Sequence, residues 1–125
     1  MALLSMCLPI LPGKKEKWRE MVTGMNEEPL KTEIDKSRED AGVHERTFLQ
    51  ETPNGDFIIL TFDGENPSEA LGKIMASADE QFAEFVLDVH GLDMKGPPPP
   101  LPELVSVSYT HLRAHETRHD LVCRL

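Results

Sequence analysis

FLQETPNGDFIIL, residues 48–60, decides the fold. Two runs rich in aromatic and β-branched side chains flank Thr52-Pro53-Asn54-Gly55, and Asn-Gly between such runs is a strong hairpin signal because a tight turn needs residues that tolerate positive φ. The sequence therefore predicts two antiparallel strands, residues 43–51 and 57–62, joined by that turn.

Working outward, Ala2–Ile10 alternates, with Leu4, Met6, Leu8 and Ile10 on one face and Leu3, Ser5 and Cys7 on the other, so a half-buried strand is expected before Pro12-Gly13. From Lys14 the period lengthens. Trp18, Met21, Val22 and Met25 sit at i, i+3, i+4 and i+7, the apolar stripe of an amphipathic helix. Residues 29–41 open on a proline and are mostly charged, which predicts a surface helix ended by Gly42. Asn66-Pro67-Ser68-Glu69 combines an N-cap, a proline at the first helical position and a carboxylate at N3. Ser77-Ala78-Asp79-Glu80 repeats the capping pattern, so the helix restarts or kinks ahead of Phe82, Phe85, Val86 and Val89 and ends at Gly91. Prolines 97–100 and Pro102 predict a stiff spacer, with Glu103-Leu104-Val105 as a candidate last strand. This order describes an α+β domain, a ferredoxin-like antiparallel sheet with its helices on one face.

The chain has 125 residues and a formal charge of −9, which suits one domain and argues against nucleic-acid partners, since those are held by Lys and Arg displacing counterions from phosphates. Cys7 and Cys123 lie far apart and form no CxxC pair, so a reduced, cytoplasmic setting is expected. The N-terminal MALLSMCLPILPG lacks the basic residues of a secretion signal or lipoprotein leader and reads as a strand. No apolar run approaches the roughly 20 residues needed to span a bilayer, so no membrane association is expected.

The first 105 residues contain neither a Gly-rich phosphate loop nor a GxSxG elbow. Cys7 reads as a small buried hydrophobe of the first strand. Five residues are candidates for lining a pocket: Trp18 on the apolar side of its helix, His44 at the start of a strand, Gln50 and Glu51 at a strand end facing the cleft between sheet and helices, and His90 at a helix C-terminus. If the fold gathered His44 and His90 at one end with Glu51 or Glu45, an acid/base or metal cluster would form. A cavity holding either imidazole would keep a catalytic reading open, and a solid core would close it.

LPILPGK (8–14) followed by Trp18, FLQETPNGD (48–56), NPSEA (66–70), VHGLD (89–93) and PPPPLPELV (97–105) together resemble a domain-of-unknown-function family of small bacterial proteins related to the dimeric α+β barrel superfamily. The resemblance covers residues 2–105. It implies the fold and a homodimer and leaves activity open; with apolar residues on both sheet faces, the expectation is a non-enzymatic or small-ligand-binding protein that dimerises through its sheets, takes an apolar or aromatic molecule and needs no cofactor. The alternative it carries is a cofactor-independent monooxygenase or isomerase acting on an aromatic substrate, by analogy of fold alone.

After Val105 the resemblance stops, and the tail, residues 106–125, has a different character. VSYTHLRAHET (107–117) resembles a direct translation of the transposase mosaic-end and adapter DNA used to build sequencing libraries, and DLVCRL (120–125) resembles the flow-cell primer region in the same frame. The codons between them span the length of a sample index. On a helix, His111, His115 and His119 would share one face, a zinc-like spacing. Under this reading an oligonucleotide's codons set that spacing, and no metal site is expected there. Residues 104–109, LVSVSY, alternate as a strand would, so foreign sequence is able to complete the native last strand by accident. Genomic reads from the source organism are expected to diverge from this chain's coding sequence at about codon 107; reads running unbroken to codon 125 would refute the adapter reading.

Overall fold

A computed structural model describes residues 2–97 and 99–108. The chain runs β1 (Ala2–Ile10), α1 (Lys15–Met25), α2 (Leu30–Ala41), β2 (Val43–Thr52), β3 (Gly55–Gly64), α3 (Pro67–Ala76) and α4 (Glu80–His90). The sheet order is β1-β3-β2, with β3 antiparallel to both neighbours. β1 and β2 are thus parallel, connected through α1 and α2 with β3 inserted between them, the split β-α-β arrangement that makes this α+β fold consistent with the ferredoxin-like kind.

Strand alternation sorts the apolar side chains. In the β1–β3 register Met6 lies opposite Leu60 and Leu8 opposite Ile58. Met6, Leu8, Ile10, Ile58 and Phe62 are buried, and they pack against Trp18 of α1, Val89 of α4 and Ala70 of α3. The other sheet face carries Leu3, Cys7 and Pro9 from β1, Phe57 and Ile59 from β3, and Phe48 from β2. Among the described residues no helix cluster covers that face: Leu3 and Phe48 are 67% and 52% exposed, and Cys7 is exposed with them and not buried as expected, because strand alternation turns it away from the helices. The helices therefore occupy one side of the sheet. Pro9 suits its place on edge strand β1, because its missing N–H would otherwise interrupt a ladder.

The hairpin turn sits one residue away from the expected Asn-Gly centre. Thr52 pairs with Gly55, so Pro53 and Asn54 form the tip, and only Gly55 has positive φ, at 129°. Proline at the first tip position fixes a negative φ, which moves the left-handed requirement onto the glycine that follows the turn. Thr52 closes it, its Oγ1 accepting from Asn54 N at 3.2 Å.

Asn66 caps α3 as expected, accepting from Glu69 N at 3.2 Å. The second cap differs. Asp79, not Ser77, accepts from the backbone, from Phe82 N at 2.8 Å, and Ser77 Oγ donates to the Ile74 carbonyl behind it. The helix therefore ends at Ala76 and restarts at Glu80. α2 buries none of its side chains, in keeping with its charged sequence.

The expected last strand is absent among the described residues. Residues 101–107 have no regular secondary structure, and Leu104 and Val105 are 78% and 83% exposed. The prolines around this segment cannot donate to a ladder and favour an extended, unpaired chain. The outer edge of β1 has no strand beside it among the described residues.

Of the glycines, Gly64 leaves the least room for a side chain. A Cβ there would stand 2.2 Å from the Gly42 carbonyl oxygen, where α2 ends, whereas one on exposed Gly72 of α3 would meet nothing within 4 Å. Gly64→Ala is expected to cost about 1–3 kcal/mol through forced backbone displacement. Gly72→Ala is expected to add roughly 0.5–1 kcal/mol by favouring the helix. Urea denaturation of both variants checks the opposite signs.

Candidate functional site

The sheet and the helices do not close completely on each other. Between them lies a cleft of about 960 Å³. Its floor is the inward face of β1 and β3, with Met6, Leu8, Ile58, Leu60 and Phe62. Trp18, Met21, Val22 and Met25 of α1 line one wall, and Leu71, Ile74 and Met75 of α3 line another. α4 contributes Phe82, Phe85, Val86 and His90. The side nearest α2 and β2 is polar, with Arg38, Glu39, Glu45 and Arg46.

The cations on that polar side are already engaged. Arg38 Nε donates to Glu45 Oε1 in a partly buried pair, Arg46 pairs with Asp63 at 3.0 Å, and Lys31 pairs with Asp35 at 2.6 Å.

His90 is the only polar or charged side chain among the buried described residues, at 6% exposure. Its Nδ1 lies 2.7 Å from the carbonyl oxygen of Pro9. A carbonyl only accepts, so Nδ1 carries the proton, and in the neutral ring Nε2 is a bare lone pair. Leu11 N donates to the Val89 carbonyl at 2.8 Å beside it, so the end of α4 is fastened to the end of β1 by two bonds. Phe85 meets the imidazole edge-on, with ring centroids 6.4 Å apart. Burial pushes the imidazole below its ordinary value, outweighing the opposite pull of the Pro9 carbonyl. His90 is neutral at pH 7.

Trp18, His44 and His90 border the cleft, whereas Gln50 and Glu51 are not among its lining residues. Gln50 lies opposite Phe57 on the uncovered sheet face, exposed, and its amide donates to the Glu51 carbonyl at 3.3 Å. Glu51 points to the same side as the helices but reaches Lys15 at 2.6 Å and Arg19 at 3.9 Å, holding the start of α1. Its bonds to Glu51 and to Asp56 hold the Lys15 ammonium above its usual value.

The two histidines do not meet. His44 is exposed and pairs with Asp63, which lies opposite Leu3, while His90 binds Pro9 six residues further along β1. At about 3.3 Å per residue that places them roughly 20 Å apart along the sheet. Glu45 shares the His44 end, but Glu51 lies at the other, opposite Asp56. The conditional cluster of His44, His90 and a glutamate therefore does not form, and no group of three or more metal-ligating side chains occurs among the described residues. His111, His115 and His119 lie outside the described residues.

Sequence reasoning assigned the methionines and phenylalanines of the cleft to the core, which their helical spacing could not distinguish from a cavity lining. Arg38 reads as a surface charge and Glu45 only as a conditional partner of the histidines, and nothing in their spacing signals a shared wall.

Neither a scan against models of known protein families nor a search of curated proteins returns a match to this chain. No helix among the described residues is long and apolar enough to cross a membrane.

The unfolded imidazole titrates near 6.5, and the folded one lower, so the folded state resists protonation that the unfolded chain accepts. His90 therefore favours folding most above about pH 6.5, and its contribution declines as pH falls toward the folded value. The melting temperature is expected to drop between about pH 7.5 and about pH 5.5, and to drop less in His90→Asn, whose amide retains a donor toward Pro9 without titrating.

Proposed function

We propose that this protein binds a small apolar or aromatic molecule in the cleft between its sheet and helices, and does so as a homodimer. The observation that carries the reading is the cleft itself: about 960 Å³, lined largely by methionine, aromatic and aliphatic side chains, with one buried imidazole. Ligand sites are commonly concave and apolar, with a few placed polar groups, and methionine and aromatic walls adapt well to flat rings.

A second copy of this chain is the proposed cover for the other face of the sheet. Cys7, Ile59 and Phe48 lie side by side across its three strands, with Pro9 and Phe57 beside them, while His44, Asp63 and Arg46 form a polar border at one end. An apolar centre with a polar rim is the usual anatomy of a protein interface. The sequence resemblance to the dimeric α+β barrel superfamily points the same way, and on that resemblance the native sequence breaks off near residue 105, inside the family's last strand, and the tail, residues 106–125, has no evolved role.

The catalytic alternative, a cofactor-independent oxygenation or isomerisation of an aromatic molecule, draws on one observation, the neutral buried His90 with an uncommitted lone pair. Binding requires fewer assumptions and is the reading adopted.

Nile red, a neutral apolar dye, is expected to bind saturably, and Val22→Phe, which fills the cleft from α1, should weaken it roughly tenfold or more while the protein stays folded. Absence of saturable binding would overturn the ligand reading. Analytical ultracentrifugation is expected to show a dimer that Phe48→Glu converts to monomer. A monomeric parent protein would overturn the dimer.

A further inference from the structure

The polar groups around the cleft are not equally available to a ligand. Arg38, Arg46 and Lys31 each hold a carboxylate. His90 has spent Nδ1 on Pro9, and its ring makes no second hydrogen bond among the described residues. Among the described residues His90 is the one buried polar side chain that lines the cleft, and its Nε2 is left as an acceptor for a ligand. A neutral imidazole of this tautomer accepts through Nε2 and has no N–H there to donate.

That chemistry selects the ligand. An anionic group would leave water for a site whose cations among the described residues, Lys31, Arg38 and Arg46, are each paired, and would face a lone pair, which is costly without a partner. A hydroxyl supplies the missing proton. The surrounding Trp18, Phe82, Phe85, Met21 and Met25 favour a flat aromatic body. We infer that the cleft prefers aromatic molecules bearing one hydroxyl, the phenols and naphthols, over the same ring systems unsubstituted or carrying a carboxylate, with His90 Nε2 accepting the hydroxyl proton in a hydrogen bond. This rests on the proposal that the cleft binds small aromatic molecules, and it adds the polar group such a ligand must carry.

The test is displacement of bound Nile red by 2-naphthol, naphthalene and 2-naphthoate at pH 7.5. One neutral hydrogen bond predicts that 2-naphthol displaces the dye at roughly five- to tenfold lower concentration than naphthalene, with 2-naphthoate the weakest. His90→Asn keeps a donor for Pro9 but removes Nε2, and should abolish the naphthol preference, bringing the naphthol-to-naphthalene displacement ratio to about one. On the unmodified protein, nitrogen-detected NMR should show Nε2 unprotonated and its resonance shifting with naphthol but not with naphthalene. Equal displacement by naphthol and naphthalene, or a preference that survives in His90→Asn, would overturn the hydroxyl inference and leave the cleft as a ligand site. Failure of Nile red and of all three compounds to bind would overturn both.

Discussion

The central strand β3 has neighbours on both edges, and the alternation of its side chains governs everything built on it. Ile58, Leu60 and Phe62 must leave water on one face, so the helices gather there, while Phe57, Ile59 and Thr61 are committed to the other face. The helices meet that demand unevenly. α3 and α4 bring Ala70, Val86 and Val89 into the core, but α2 buries nothing and lies over β2, whose inward positions include Glu45 and Thr47. Apolar surface is thus covered over β1 and β3 and left partly uncovered toward β2. The cleft is the outcome of that imbalance.

The periphery orients this arrangement more than it stabilises it. Lys14 and Lys17 of the α1 start both reach Asp88 of α4, at 2.9 and 2.6 Å, and hold its carboxyl below the usual range, while Lys15 reaches Glu51 and Asp56 at the hairpin. These groups are substantially exposed, and such pairs contribute little to folding. They fix where α1 begins, and one turn later Trp18 enters the wall of the cleft. Lys17 also lies 5.7 Å above the Phe85 ring, linking α1 to the aromatic side of α4.

Much of this was legible in the amino-acid order because it is local. Alternation in Ala2–Ile10, the 3.6-residue stripe through Trp18 and Met25, the Asn66 cap and the glycines after α2 and α4 each express a preference that neighbouring residues enforce. The misplacements were also local competitions: Pro53 moved the turn by one position, and Asp79 took the capping role that Ser77 was expected to fill. The site was harder to read. Trp18 and His90 were legible as apolar-side and helix-end residues, but a stripe that packs and a stripe that borders a void have the same spacing. His44 and His90 were assigned no separation by the sequence, since only strand register places them at opposite ends. Pairing of Arg38 with Glu45 depends on how α2 crosses β2, a tertiary relation with no local signature.

The bond between His90 and Pro9 joins positions 81 apart in the chain. Closing so long a loop costs more chain entropy than forming the β2–β3 hairpin, whose ends are separated by a two-residue tip. Folding should therefore begin at the hairpin, with the α4 C-terminus docking after most of the sheet exists. The compartment beneath α4 is then the last part of the molecule to be enclosed, and loosening at this seam would accelerate unfolding with little effect on the folding rate.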